Sequence, residues 1–243
     1  MIPLVLIHGF MGGSAQWDAQ IKGLASTHKI IAFDLPGFGK NNHLTAINTI
    51  SGFAEWVIVE LRKMGVQRYN LLGHSMGGMI VQEIARREQD SIEHLLLYGT
   101  GASGVLPGRF ETIDQSKARV QQDGAKQTAR RIAATWFLER EAAIGFEACA
   151  SLAEQATLDA ITAGLDAMQA WTGEDFLSQI RTKTIVISGD QDRTYAWDQT
   201  YLLWTSILEA NLAVVPGCAH AVHAEKARLL NLLILDFLSV QIL

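Results

Sequence analysis

The chain has 243 residues, 49% of them hydrophobic and 19% charged, with a formal net charge of −5. That length suits one α/β domain with an ample buried core, and the composition is globular rather than disordered. The mild acidity argues against a nucleic-acid or anionic-membrane surface.

The opening "MIPLVLIHGF" carries a β-type run over Leu4–Ile7. It is too short for a signal-peptide core and has neither a basic leader nor a small-residue cleavage site. No apolar run reaches the roughly 18 residues that would span a membrane. Near the end, "LLNLLILDFL" is interrupted by Asn231 and Asp236. Two cysteines, Cys149 and Cys218, make no disulfide framework. A reduced, cytoplasmic setting is expected, with no nucleic-acid or membrane partner.

In chain order, further strands are predicted over Lys29–Phe33, Arg68–Leu72, Ile92–Tyr98, Lys183–Ser188 and Asn211–Val215. Most are almost continuously apolar, which suits strands covered on both faces. Helical patterns fall between them, around Trp17–Ser26, Ile50–Met64, Gly77–Gln89, Trp197–Leu208 and Ala224–Val240. Strand alternating with helix predicts an α/β fold with a parallel, doubly wound sheet of about six strands. From Gly104 to Phe176 the alternation stops, and Ala-, Gln- and Arg-rich helical stretches replace it. The expected organisation is a core of residues 1–103 and 177–243, with residues 104–176 as a helical cap.

The stretch "NLLGHSMGGMI" (Asn70–Ile80) places Ser75 between Gly73 and Gly77, where a strand turns into a helix. A serine there must adopt a strained backbone to push its hydroxyl outward, and side chains two residues away would collide. The following helix aims free N–H groups and a positive dipole end at the same place. Ser75 is therefore the candidate nucleophile.

A serine hydroxyl needs an oriented general base. Loops after the last two predicted strands supply "DQDRT" (Asp190–Thr194) and "PGCAHAVHAEKA" (Pro216–Ala227). In a parallel sheet these loops share the edge where active sites form. His220 is favoured over His223, which could belong to the first turn of the last helix. Asp192 is favoured over Asp190, which could brace its own turn. His28 and His94 precede strands, His43 lies in a polar loop, and His74 is expected to pack or hydrogen-bond. An oxyanion needs about two fixed donors. Met76 N–H, at the helix start, and Phe10 N–H, in "HGFMGGS", are the candidates. Cys218 is read as a packing residue. No metal is expected, since no histidine pair stands at ligand spacing from a carboxylate or thiol.

The motifs "LVLIHGF", "DLPGFGK", "LLGHSMGG", "SGDQD" and "PGCAH" resemble the α/β-hydrolase superfamily and cover nearly the whole chain. The resemblance implies Ser75 as nucleophile, His220 as base, Asp192 as acid, Phe10 and Met76 as oxyanion donors, and a mobile helical lid. Relatives usually begin with two antiparallel strands before the HG strand; here that strand opens the chain, so an all-parallel sheet without them is expected. Lys40-Asn41-Asn42 and Tyr195-Ala196 depart from the family pattern and bear on the pocket. Ser75 at the elbow implies acyl chemistry, and the similarity leans toward small esterases and enol-lactonases. The implied reaction is hydrolysis of a small carboxylic ester or lactone through an acyl-enzyme, with no cofactor. A C–C bond hydrolase or lyase using the same triad, and a slow-turnover ligand sensor, stay open, as does the oligomeric state.

Phe110, Trp136, Phe137, Met168 and Trp171 are candidates for an apolar pocket, or else fill the cap's own core. Arg130 and Arg131 could offer a guanidinium to a substrate carboxylate, or else face solvent.

Overall fold

Six parallel strands form one sheet in the order β2-β1-β3-β4-β5-β6 in the computed structural model, which describes residues 2–106 and 111–239. They are β1 (Leu4–Ile7), β2 (Ile30–Ala32), β3 (Tyr69–His74), β4 (Ile92–Tyr98), β5 (Lys183–Gly189) and β6 (Asn211–Val215). The parallel doubly wound sheet matches the expectation from the strand and helix alternation. One boundary differs usefully. β3 continues through Gly73 and His74, because Gly73 still pairs with Ile7 on one side and Leu97 on the other. The strand therefore delivers Ser75 directly at its end.

The period of two along each strand feeds two separate cores. In β1, Leu4 and Leu6 point to one face, where Trp17, Leu24, Leu230, Ile234 and Phe237 pack; Val5 and Ile7 point to the other. The first face is covered by α1 (Asp18–Leu24) and, from the far end of the chain, by α9 (Val222–Glu225) and α10 (Ala227–Ser239). The second face is covered by α2 (Ile50–Lys63), α3 (Met76–Glu88) and α8 (Trp197–Ser206). Among the described residues, no helix is long and apolar enough to cross a membrane.

Between β4 and β5 the chain forms α4 (Ile113–Asp123), α5 (Ala125–Ala134), α6 (Phe146–Ala153) and α7 (Leu158–Gln169). The Thr112 side chain accepts from Gln115 N–H while the Gln115 side chain accepts from Thr112 N–H, a reciprocal cap that starts α4. Gly124, at φ 80°, ends α4 and lets α5 begin in a new direction. The two ends of this insertion lie side by side. Ser103 bridges Thr172 in antiparallel fashion, Gly104 N–H donates to Trp171 O (3.1 Å), and Gly173 N–H donates to Ala102 O (2.8 Å). Ile113, Ile132, Phe137, Leu165 and Met168 join the same apolar cluster as Phe10 and Met76. The insertion thus packs over the carboxyl ends of the strands. Phe110 lies outside the described residues.

Candidate active site

The strand order reverses between β1 and β3, and the crevice at their carboxyl ends is where ligands bind in open α/β sheets. Ser75 sits there, between β3 and α3, with φ 57° and ψ −122°. This is a strained conformation for a residue with a side chain. The neighbours hold it in place. Ser75 N–H donates to Tyr98 O (3.0 Å), and Ser75 O accepts from Gly78 N–H and from the Thr100 hydroxyl (both 2.8 Å). A Cβ on Gly73 would strike the Gly77 carbonyl, and one on Gly77 would strike the Ile7 and His8 carbonyls. Both glycines are thus demanded by close backbone approach.

Facing Ser75 is the loop after β1. His8 is fully buried: its Nδ1–H donates to Gly9 O (2.7 Å) and its Nε2 accepts from Leu35 N–H (2.9 Å). Burial lowers its pKa to about 4. Asp34 ties the neighbouring loop to this one, accepting from Ser14 N–H (2.9 Å) and the Ser14 hydroxyl (2.7 Å). Phe10, on this loop, and Ser75 line the same cavity. Met76 N–H is the first of α3 and has no carbonyl of its own helix to bond.

His220 and Asp192 meet on the loops after β6 and β5. His220 Nδ1 lies 2.8 Å from Asp192 Oδ2, and both side chains are only 1% exposed. Asp192 Oδ1 accepts from Thr194 N–H (2.7 Å) and Tyr195 N–H (3.1 Å). Asp190 is exposed and accepts from Cys218 N–H (3.3 Å), so it braces the turn. The carbonyl of His220 is also fixed, accepting from the Tyr98 hydroxyl (2.9 Å) and His74 Nε2–H (3.2 Å). Tyr195 stacks on the His220 ring at 5.6 Å between centroids.

The other histidines form a second layer. His74 stacks on Tyr98 and accepts from the Gln16 amide at Nδ1 (3.3 Å). Burial, then the neighbouring His220 and His223, hold its pKa well below the usual range. His223 N–H donates to the Tyr98 oxygen, and His223 Nδ1 lies 3.0 Å from the same atom. Since the Tyr98 proton goes to His220 O, His223 Nδ1 must carry its own proton. Burial lowers the His223 pKa to about 3. Cys218 is buried, donates to Val215 O (3.3 Å), and has its thiol pushed up to about 12, which suits a packing residue.

Two small lobes open at Ser75. One, the histidine lobe, is lined by Gln16, His74, His220, His223, Cys149 and Leu152 together with Phe10, Ser75 and Trp136. The other is mostly apolar, lined by Leu106, Ile113, Ile132, Met168, Thr194 and Tyr195, again with Phe10, Ser75 and Trp136. Their volumes are about 10 and 20 Å³, the room of a water molecule each. A wider cleft of about 730 Å³ lies between residues 42–48 and α4 and α7, but Ser75 and His220 do not line it.

Of the described pocket candidates, Trp136 and Met168 reach these lobes and the rest do not. Trp136 is carried there by the histidine loop: Ala221 N–H donates to Trp136 O (2.9 Å), and Glu225 accepts from both Leu138 N–H and Ala219 N–H (2.7 Å each). Phe137 is turned away and packs edge-on against Phe146. Trp171 packs by the Gly173 backbone at the base of the insertion. Arg130 is held by Glu147 and Glu154 at the surface and lies over the Phe146 ring. Arg131 is paired with the buried Glu111 (3.0 and 3.2 Å). Burial pushes the Glu111 pKa up, but the Ser116 and Arg131 hydrogen bonds outweigh it and hold the group below its ordinary value. The two arginines are thus spent on glutamates of the insertion. Among the described residues, no Lys, Arg, Asp or Glu lines either lobe. Gln16, Tyr98, Cys149 and Thr194 are neighbours of the site that the sequence did not single out.

A serine on a strained strand-to-helix turn, facing a histidine–carboxylate pair on later loops of the same sheet edge, is a hydrolase-type site. The family described as alpha/beta hydrolase fold matches residues 2–143, and the chain belongs to this family. Over 98% of its length it is 25% identical to the "Putative carbamate hydrolase RutD" of Pseudomonas savastanoi pv. phaseolicola, covering 94% of that protein. It superposes on the enol-lactonase from Burkholderia xenovorans LB400 with a TM-score of 0.90 and 22% identity, covering 99% of this chain and 92% of that one. An esterase from Thermogutta terrifontis gives 0.89 and 23%, covering 98% and 89%. At these identities the two superpositions speak for the fold.

Proposed function

We propose that the chain hydrolyses a small carboxylic ester or lactone through an acyl-enzyme on Ser75. The observation that carries this reading is the buried Asp192–His220 contact of 2.8 Å, with His220 and Ser75 as walls of one cavity. Asp192 accepts the Nδ1 proton, so the lone pair sits on Nε2. Nε2 takes the Ser75 proton as Oγ attacks the carbonyl carbon. Phe10 N–H and Met76 N–H hold the oxygen as it becomes negative. The same imidazole protonates the leaving alcohol, then deprotonates the water that releases the acid. The insertion over residues 104–176 serves as a cap, and its Trp136 and Met168 wall the cavity.

The test is incubation with p-nitrophenyl butyrate and with a fluorophosphonate, on the folded chain and on Ser75→Ala. Ester turnover and covalent labelling at Ser75, both lost in the variant, are expected. Folded protein that is not labelled at Ser75 overturns the reading. Faster turnover of a dienoate C–C substrate or a hydroxynitrile than of any ester would replace it with the lyase-type alternative.

A further inference from the structure

One wall of the apolar lobe carries a buried polar atom without a partner. Thr194 is among its walls, and its Oγ1 is buried with no hydrogen-bond partner among the described residues. Leu106, Ile113, Ile132, Met168 and Phe10, among its other walls, are apolar side chains. A buried hydroxyl without a partner is costly, and natural structures rarely keep one unless something else pairs with it. Thr194 is also held firmly. Its N–H donates to Asp192 Oδ1 at 2.7 Å, so the residue rides on the same carboxylate that contacts His220.

The two lobes divide the substrate between them. The leaving group must lie beside the imidazole that protonates it. Both lobes meet at Ser75, but His220 lines only the histidine lobe. On the reading of Ser75 as nucleophile, the acyl group is therefore directed to the Thr194 side of Ser75, where the lobe must widen beyond its present volume of about 20 Å³ to take it.

We infer that Thr194 is a specificity-determining residue, whose hydroxyl pairs with an oxygen on a short acyl group. The favoured substrates are esters or lactones of hydroxy- or oxo-acids rather than of plain alkanoic acids. A hydroxyl or carbonyl oxygen fits, because a threonine hydroxyl both donates and accepts.

The experiment compares kcat/KM for p-nitrophenyl butyrate with the 2- and 3-hydroxybutyrate esters, in the wild type, Thr194→Val and Thr194→Ser. The wild type is expected to favour one hydroxy ester by about tenfold, a typical consequence of pairing an otherwise orphaned polar group. Thr194→Val should abolish that preference, and Thr194→Ser should keep most of it. Wild-type protein without the preference overturns the inference, and this arm does not depend on any variant folding. So does an equal fall on all three esters in Thr194→Val, which would mark Thr194 as a support for Asp192 alone. Fluorophosphonate labelling of Ser75 in the same samples separates the two levels. Labelling without the preference sinks only the role of Thr194; no labelling of folded wild type sinks the serine reading and this inference with it.

Discussion

The Tyr98 hydroxyl, at the end of β4, donates to the carbonyl of His220 at 2.9 Å. The same oxygen accepts from His223 N–H and from His223 Nδ1–H, so a single phenol ties the histidine loop to the sheet through three hydrogen bonds. Tyr98→Phe keeps the ring packing and removes all three. It leaves buried groups short of a partner, which costs about 1–3 kcal/mol each. The urea midpoint of unfolding is expected to fall, and kcat to fall with it while KM for p-nitrophenyl butyrate changes little. An unchanged midpoint would mean the loop is held by other contacts.

Asp192 and Asp190 should separate cleanly. Asp192→Asn keeps the shape but offers an amide to His220 Nδ1, favouring the tautomer that cannot take the serine proton. By analogy with other serine triads, kcat should drop by about 10⁴-fold. Asp190→Asn, at an exposed turn, should cost less than about threefold. The rate of fluorophosphonate labelling reads both, and similar losses in the two variants would count against the assignment of the acid.

Acid sensitivity follows from the buried histidines. Burial lowers His8 to about 4 and His223 to about 3, below the unfolded value of 6.5. Below pH 6.5 the unfolded chain binds protons that the folded chain refuses, so the neutral rings stabilise the fold above that value. This contribution is lost as pH falls from 6.5 toward 4 for His8 and toward 3 for His223, at about 1.4 kcal/mol per unit of difference. His8→Asn is expected to be less stable at pH 7 and to lose less stability between pH 6.5 and 4.5. Equal slopes in variant and wild type would show that His8 is not the titrating group.

The arginine pair predicts two different outcomes. Arg131→Ala removes two donors from the buried carboxylate of Glu111 and should destabilise the insertion by about 1–3 kcal/mol. Arg130→Ala removes a surface pair with Glu147 and Glu154 and should change unfolding little. Neither should alter the ratio of activity on carboxylated against neutral esters. A selective loss on carboxylated esters in either variant would bring that guanidinium into the substrate site.

Much of this molecule was legible along the chain. β1, β4 and β6 fall on the runs that their apolar residues mark, and the glycines flanking Ser75 announce the elbow. β3 is longer than its sequence suggests, because Gly73 and His74 read as a turn until β1 and β4 flank them. Within the insertion, helical periodicity could not tell Trp136, which reaches Ser75, from Phe137, which packs against Phe146. Both lie in the turn just past α5, and only the anchoring of Trp136 O by Ala221 N–H decides which of them faces the site. Thr194 and Tyr98 gave no signal of their own, since a threonine in a loop and a tyrosine ending a strand are ordinary.

The sequence by itself determined the sheet, its parallel sense and the chain order of serine, aspartate and histidine. Those depend on local periodicity, on glycine conformational freedom and on loop position, all of which act over a few residues. Only the tertiary structure decided that Asp192 and not Asp190 meets His220, that Arg130 and Arg131 are spent on glutamates, and that Tyr98 and His74 hold the histidine carbonyl. Those partners are separated by up to 146 residues, and which side chains meet depends on how the whole sheet and its insertion pack.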